Sequence, residues 1–512
     1  MSILNMITSY AGSQLLPFYI TIFIFTLGPW VIRFFWPEWR KGSVVPLANP
    51  PESMFGTGKT RRSFVKLSRE ILAKARSLFP DEPFRLITDW GEVLILPPDF
   101  ADEIRNDPRL SFSKAAMQDN HAGIPGFESV ALVGREDQLI QKVARKQLTK
   151  HLSAVIEPLS RESTLAVSLN FGESTDIIAR ISSRIYLGDQ LCRNEAWLKI
   201  TKTYTTSFYT ASTNLRMFPR SIRPLAHWFL PDCKKLRQER KDAIGIITPL
   251  IEPRRELRRL AVTAGQPLPV FHDAIDWSEQ EAEAAGSGAA FDPVIFQLTL
   301  SLLAIHTTYD LLQQTMIDLG RHPEYIEPLR QEVVQLLREE GWKKTTLFKM
   351  KLLDSAIKES QRMKPGSIVT MRRYVTEDIT LSNGLILKKG TRLNVDNRRL
   401  DDPKIYENPE VYNPYRFYDM RSEVGKDHGA QLVSTGSNHM GFGHGQHSCP
   451  GRFFAANEIK VALCHILVKY DWKLCPDTET KPDTRGMIAK SSPVTDILIK
   501  RRESVELDLE AI

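Results

Sequence analysis

The sequence predicts a mainly α-helical protein with small β-sheets, a single catalytic body behind an apolar N-terminal segment, and three observations carry this. Residues 294–319 are apolar nearly all round, with no glycine or proline until Gly320 and with Asp292 and Pro293 as cap and first-turn residues. That pattern gives a helix of roughly 40 Å, long enough to cross the body and be buried. Residues 323–337, 347–363 and 452–469 read as further helices. Alternating stretches are short and few.

With 512 residues, 42% hydrophobic and 25% charged, the chain can bury a large core, although length alone leaves the domain count open. Five cysteines (Cys192, Cys233, Cys449, Cys464, Cys475) show no repeated spacing, which argues against a disulfide framework and for a reducing compartment. The absence of a Cys-x-x-Cys pair removes support for a zinc ribbon, a ferredoxin cluster or a c-type haem attachment. The net charge of +7 suits an anionic membrane surface or an acidic protein partner. The basic residues are scattered among acids, so no nucleic acid is expected as a partner.

Taken in order, residues 1–32 carry no charge and 15–32 are nearly all apolar, interrupted by Pro17, Gly28 and Pro29. Such a segment just spans a ~30 Å hydrocarbon core at ~1.5 Å per residue. A cleaved signal peptide would begin with basic residues. Instead Trp30, Trp36 and Trp39 suit an interfacial belt, and Arg33, Arg40 and Lys41 follow the segment. The expectation is a single-pass anchor over 1–36, in the endoplasmic reticulum membrane with the body cytosolic, then a proline-stiffened linker over 37–55 and a catalytic domain over 56–512. Residues 84–97 read as a strand pair turning at Asp89, Trp90 and Gly91, and 137–156 as helical. The stretch 277–290, acidic and then rich in small residues, reads as an exposed linker. Residues 368–395 alternate like strands with a hairpin turn at Asn383 and Gly384, and 488–499 read as a final strand pair.

The chemistry concentrates between Met440 and Arg452. There Cys449 sits between glycines with an aromatic upstream and a helix running away downstream. A thiolate in that setting is a strong ligand for haem iron, with its charge eased by backbone N–H groups and a helix N-terminus, although an isolated cysteine in a glycine-rich turn is more often only that. Gly445 and Gly451 would let the backbone approach a flat macrocycle, and Phe442 would shield the sulfur. Upstream, Glu359 and Arg362 lie three apart on one helix face, which alone is an everyday surface pair.

The order Phe442-x-x-Gly445-x-His447-x-Cys449-x-Gly451 resembles the haem-binding loop of the cytochrome P450 superfamily, and the resemblance covers nearly the whole chain. It implies the P450 fold, haem b (iron protoporphyrin IX) as cofactor and Cys449 as axial ligand of the iron. His447 takes a position that is usually arginine and would meet a haem propionate. Arg145 matches a second propionate ligand, with Gln141 where the family has tryptophan, and Arg373 a third, Arg372 beside it keeping that choice open. The run from Leu303 to Thr308 resembles the central helix: Ala304 and Thr307 match, while His306 replaces an acid. Thr307 either relays protons at the oxygen-binding face or back-bonds to the carbonyl of Leu303, and His306 either relays protons or packs. Glu359, Arg362 and Arg416 resemble the family's buried triad, which would fix the loop carrying the thiolate. Residues 110–134 correspond to a variable loop over the substrate, and 201–230 either roof the active site and dip into the membrane or are ordinary core. The turn at Ser491, Ser492 and Pro493 would reach the pocket.

The implied activity is monooxygenation of a hydrophobic small molecule by dioxygen, with electrons from an NADPH-cytochrome P450 reductase that a face with Lys142, Lys146 and Lys150 would dock. His447, the histidine in the central helix, and Phe453, Phe454 and Ala455 after the loop resemble fungal members that tailor terpenoids and other secondary metabolites. Two alternatives stay open: a haem-thiolate isomerase or dehydratase not using dioxygen, and a non-enzymatic membrane-bound haem or lipid binder.

Overall fold

The computed structural model describes residues 44–53, 56–169, 174–288 and 291–512. The anchor expected at 15–32 and the first part of the linker lie outside the described residues. The principal helices are α1 (Thr57–Leu78), α2 (Phe112–Asp119), α3 (Glu128–Val133), α4 (Leu152–Leu169), α5 (Ser174–Leu187), α6 (Glu195–Arg216), α7 (Pro231–Thr263), α8 (Ala274–Ala284), α9 (Pro293–Arg321), α10 (Ile326–Glu340), α11 (Lys351–Met363) and α12 (Arg452–Lys469).

Helix α9 is the axis of the fold. The Asp292 carboxylate accepts from the N–H groups of Val294 and Ile295 at 2.9 and 3.1 Å, and Pro293 fills the first turn. Although α9 is apolar enough to cross a membrane, two thirds of its most apolar window is buried in protein. It packs on α5, α6, α11 and α12, inside one cluster that joins nearly all the helices.

A five-stranded sheet lies to one side, built from β1 (Phe84–Thr88), β2 (Gly91–Leu96), β3 (Leu110–Ser111), β4 (Val369–Val375) and β7 (Arg392–Asp396), in the order β1-β2-β7-β4-β3. The expected hairpin at Asp89 to Gly91 forms, and Asn383 and Gly384 turn the small β5 (Ile379–Thr380) and β6 (Ile386–Leu387) pair. The linker prolines do not stand clear of the body. Ala48 N–H donates to Arg85 O at 2.9 Å, Arg85 N–H donates to Pro46 O at 2.8 Å, and the Asn49 amide brackets Ile87, so this segment extends the edge of β1.

Three expectations are corrected. Residues 277–290 are not simply an exposed linker: 274–284 form helix α8, with Trp277 2% exposed and stacked on His151 at 4.8 Å. The acids that suggested solvent are answered by α7, where Arg258 pairs with Asp276 and Glu279 and Arg255 with Glu279. Residues 488–499 do not pair with one another. Strand β10 (Ile488–Lys490) pairs with β9 (Asp483–Arg485), and β11 (Ile497–Arg501) with β8 (Tyr470–Leu474). Residues 110–134 hold helices α2 and α3 as well as turns. The helical expectation for 137–156 is met from Leu139 onward, with a π-helical stretch over Val143–Leu148 ahead of α4.

Candidate active site

Cys449 follows a 3-10 turn (Gly445–His447), and its N–H donates to Phe442 O at 2.8 Å, closing the loop on itself. Burial pushes the thiol up. Against that, the N–H groups of Gly451 and Arg452 and the guanidinium of Arg452 act on the sulfur and favour its anion. Arg452 also holds the loop's exit, with Nη1 2.9 Å from Cys449 O and Nε 3.0 Å from Val433 O. Gly451 caps α12, and a Cβ there would meet nothing within 4 Å. Gly445 is needed for a different approach than expected. Its φ is +74°, and a Cβ would sit 2.5 Å from the carbonyl oxygen of Arg105, so the loop is pressed against the protein's own chain there. That seat is secured by His444, whose Nε2 lies 2.8 Å from Asp102, and by Gln446 N–H donating to Asn106 at 2.9 Å. Neither anchor was visible in the sequence, since Asp102 and Asn106 lie some 340 residues upstream of their partners.

Glu359, Arg362 and Arg416 do come together. Arg362 Nε and Nη2 each donate to Glu359 at 2.8 Å, and Arg416 Nε donates to it at 2.9 Å. Both members of the α11 pair are fully buried. The spare N–H groups are used: Arg362 on Leu400 O and Pro409 O, Arg416 on Glu407 O, Asn408 O and Val411 O. Nearby Lys358, whose pKa burial lowers to about 7, donates to Gly429 O and Gln431 O. Helix α11 thus grips the irregular segment leading to Cys449.

The three candidate propionate ligands converge. A register shift in β4 between Thr370 and Arg373, with Met371 at φ +49°, turns Arg373 inward and Arg372 outward. Arg372 faces Asp119 and lies over Trp90. Arg373 is 2% exposed. Its guanidinium donates to Arg372 O, its Nε has no partner, and desolvation alone lowers its pKa to about 10. His447 is pushed down to about 4 by burial and by the charges of Arg373 and Arg145, and Arg145 Nη2 donates to Gln446 O at 2.9 Å. A buried arginine with no carboxylate beside it is costly unless an anion joins it. The donor set therefore fits a haem with two propionates.

On α9, Leu303 is 42% exposed and Thr307 is exposed, with Ala304 half-buried between them, a bare stripe on an otherwise buried helix. Thr307 Oγ1 donates back to Leu303 O and Ala304 O at 3.0 and 3.1 Å. His306 lies on another face, with Nε2 3.1 Å from Lys202 O of α6, and burial lowers its pKa. The Ser491 turn reaches this helix one turn further on, where its N–H donates to Asp310 at 2.7 Å. Helix α12 also brings in a residue the motif reading passed over. Glu458 is fully buried, accepts from Ser182 at 2.5 Å, and has its pKa raised to about 8 by burial.

A cysteine loop backed by a buried Glu–Arg–Arg triad, an inward arginine awaiting an anion, and a long central helix with one bare stripe define a haem-thiolate protein. The cytochrome P450 family model matches residues 153–499, and the chain belongs to the cytochrome P450 family. It is 89% identical over 512 residues, the whole of both chains, to cytochrome P450 monooxygenase 2 of Gibberella fujikuroi. Cytochrome P450 monooxygenase hepE of Aspergillus oryzae is 43% identical over 476 residues, 90% of this chain and 86% of that one. Among solved structures, the haem domain of cytochrome P450DA superposes with a TM-score of 0.65 at 16% identity, covering 90% of this chain and 98% of that one. A retinoic acid-bound cyanobacterial P450 gives 0.61 at 14% identity, covering 90% and 99%. These two establish the fold. The protein is a monooxygenase with haem as cofactor, using dioxygen, a redox partner and a small-molecule substrate.

Proposed function

We propose that the protein hydroxylates or further oxidises a hydrophobic fungal secondary metabolite, such as a terpenoid, at the endoplasmic reticulum membrane, with electrons from NADPH delivered by a separate P450 reductase. The observation that carries the substrate class is the bare stripe of Leu303, Ala304 and Thr307, which offers one hydroxyl in an apolar setting. The fungal source of the relatives supports the same reading. Residues 15–32 supply the membrane anchor, and exposed Lys146 and Lys150 belong to the face that meets the acidic reductase.

Haem, when bound, would supply an iron that activates dioxygen for insertion into a C–H bond. Cys449 would hold the iron through its sulfur, the thiolate charge met by the N–H groups of Gly451 and Arg452. Arg373, His447 and Arg145 would hold the propionates, whose charge would offset the burial and the two arginines that depress the histidine pKa. Phe442 packs on the core next to the loop and keeps water from the sulfur. Thr307 Oγ1 would move a proton by exchanging its bond to the Leu303 or Ala304 carbonyl for one on the exposed side of the stripe, while its oxygen accepts from water. His306 faces away from the stripe and joins α9 to α6 through the Lys202 carbonyl, burial lowering its pKa, and this placement favours packing over relay.

The test is the carbon monoxide difference spectrum of the reduced membrane-bound protein beside Cys449→Ala. A long-wavelength Soret band lost in the variant supports the thiolate assignment, and its absence from folded, haem-containing protein overturns it. Product formation that requires NADPH and reductase excludes an isomerase or dehydratase.

A further inference from the structure

Where the turn after α6 meets the α2–α3 loop, a pocket of about 290 Å³ is walled by Gln118, His121, Ile124, Arg220 and Arg223. Its charge is unbalanced. The nearby acids already have partners: Asp89 faces Arg216 at 3.3 Å, and Asp119 faces Arg392 and Arg372 at 3.2 and 3.8 Å. Arg223 spends Nε on Phe218 O and Nη2 on Arg216 O, carbonyls that leave its charge uncompensated. Burial and the charges of Arg220, Arg61, Arg216 and Arg392 lower its pKa to about 10. Arg220 is exposed and forms no ion pair among the described residues. His121, with Nε2 on Ser212 O at 3.0 Å, is pushed down to about 4 by burial and by Arg223, Arg216 and Arg220.

Around this cationic pocket stands an apolar collar. Met217, Phe218, Ile222, Leu225, Trp228 and Phe229 are all exposed, Phe229 by 71% and Leu225 by 64%. So many large apolar side chains on one short turn are unusual on a surface that faces water. Aromatics and aliphatics set among arginines are what the bilayer interface accepts, the rings entering the acyl boundary and the guanidinium groups staying at headgroup depth.

We propose that this pocket binds the headgroup phosphate of an anionic phospholipid, Arg220 and Arg223 clamping the phosphate while the collar enters the bilayer. Guanidinium groups match phosphate oxygens in paired hydrogen bonds, and the collar favours a lipid over a free anion, which would gain nothing from it. The inference rests on the membrane location proposed above and adds to the anchor a second, lipid-selective contact that fixes the roof of the active site against the bilayer.

The full-length, haem-loaded protein is placed in phosphatidylcholine vesicles with equal mole fractions of either brominated phosphatidylcholine or brominated phosphatidic acid. The emission of Trp228 is isolated as the difference from Trp228→Phe. Brominated phosphatidic acid is expected to quench it at least twofold more than the neutral lipid. Arg220→Gln should abolish that preference, Arg220→Lys should restore part of it, and excess inorganic phosphate should not reverse it. The carbon monoxide spectrum checks that each variant is folded. Equal quenching by both lipids, or none at Trp228 while the anchor tryptophans remain quenched, overturns the headgroup site and leaves the membrane location standing. Loss of quenching at the anchor as well overturns the location. If Arg220→Gln keeps the lipid preference but loses the haem spectral shift caused by a long-chain fatty acid and not that caused by its alcohol, the arginines read a substrate carboxylate and the lipid proposal fails.

Discussion

Glu359→Ala removes the carboxylate that two guanidinium groups share. Arg362 loses both bonds at 2.8 Å, Arg416 loses one at 2.9 Å, and the N–H of Asn413 loses an acceptor at 3.3 Å. The carbonyls of Leu400 and Pro409 still receive Arg362, but a full positive charge then sits in a place with no exposure and no counter-ion. Removing one partner of a buried pair costs about 3–5 kcal/mol, against about 5–15 kcal/mol for the whole stability of a typical domain. The folding equilibrium should fall by about 10² to several 10³. Because α11 holds the segment that precedes the cysteine loop, the loss should appear first as poor haem retention, before any change in turnover per haem. Haem content per polypeptide and the urea midpoint followed by far-ultraviolet circular dichroism measure both. A Glu359→Ala protein with wild-type haem content and an unchanged midpoint would refute the reasoning.

Arg373→Gln should lower haem affinity yet leave the haem-free protein as stable or more stable, because a buried charge without an anion is removed; paired melts of the haem-free and haem-loaded forms test the opposite signs. Thr307→Val keeps the shape and removes the hydroxyl, so product formation should drop by about 10²-fold or more at unchanged haem content, as judged by single-turnover assays. His465, fully buried with Nε2 2.9 Å from Ser160 and its pKa lowered to about 3, stays neutral where the unfolded histidine, near 6.5, takes up a proton. Its contribution is therefore present above pH 6.5 and is lost as pH falls, by about 1.5 kcal/mol between pH 6.5 and 5; His465→Gln should flatten that part of the stability profile.

Several readings of single residues turned on partners far away in the chain. The choice between Arg372 and Arg373 depends on a bulge in β4, and no local pattern marks which of two adjacent arginines turns inward. The acids after Trp277 looked solvated because the arginines that neutralise them belong to α7, about 20 residues earlier. Ile488 and Ile499 looked like one hairpin because alternation reports that a segment is extended and says nothing about which strand it joins.

By itself the sequence determined the elements and the chemistry that depend on near neighbours: the capped apolar helix at 293–321, the Glu359–Arg362 pair on one face, and a cysteine held among glycines. These follow from spacing along the chain, since helix geometry and turn conformation are local. Only the tertiary structure decided that Gly445 yields to Arg105, that His306 reaches Lys202, and that exposed Arg145 and half-buried His447 come to the anion-poor place where Arg373 is buried. Burial and charge balance are properties of the assembled neighbourhood, and residues hundreds of positions apart create them together.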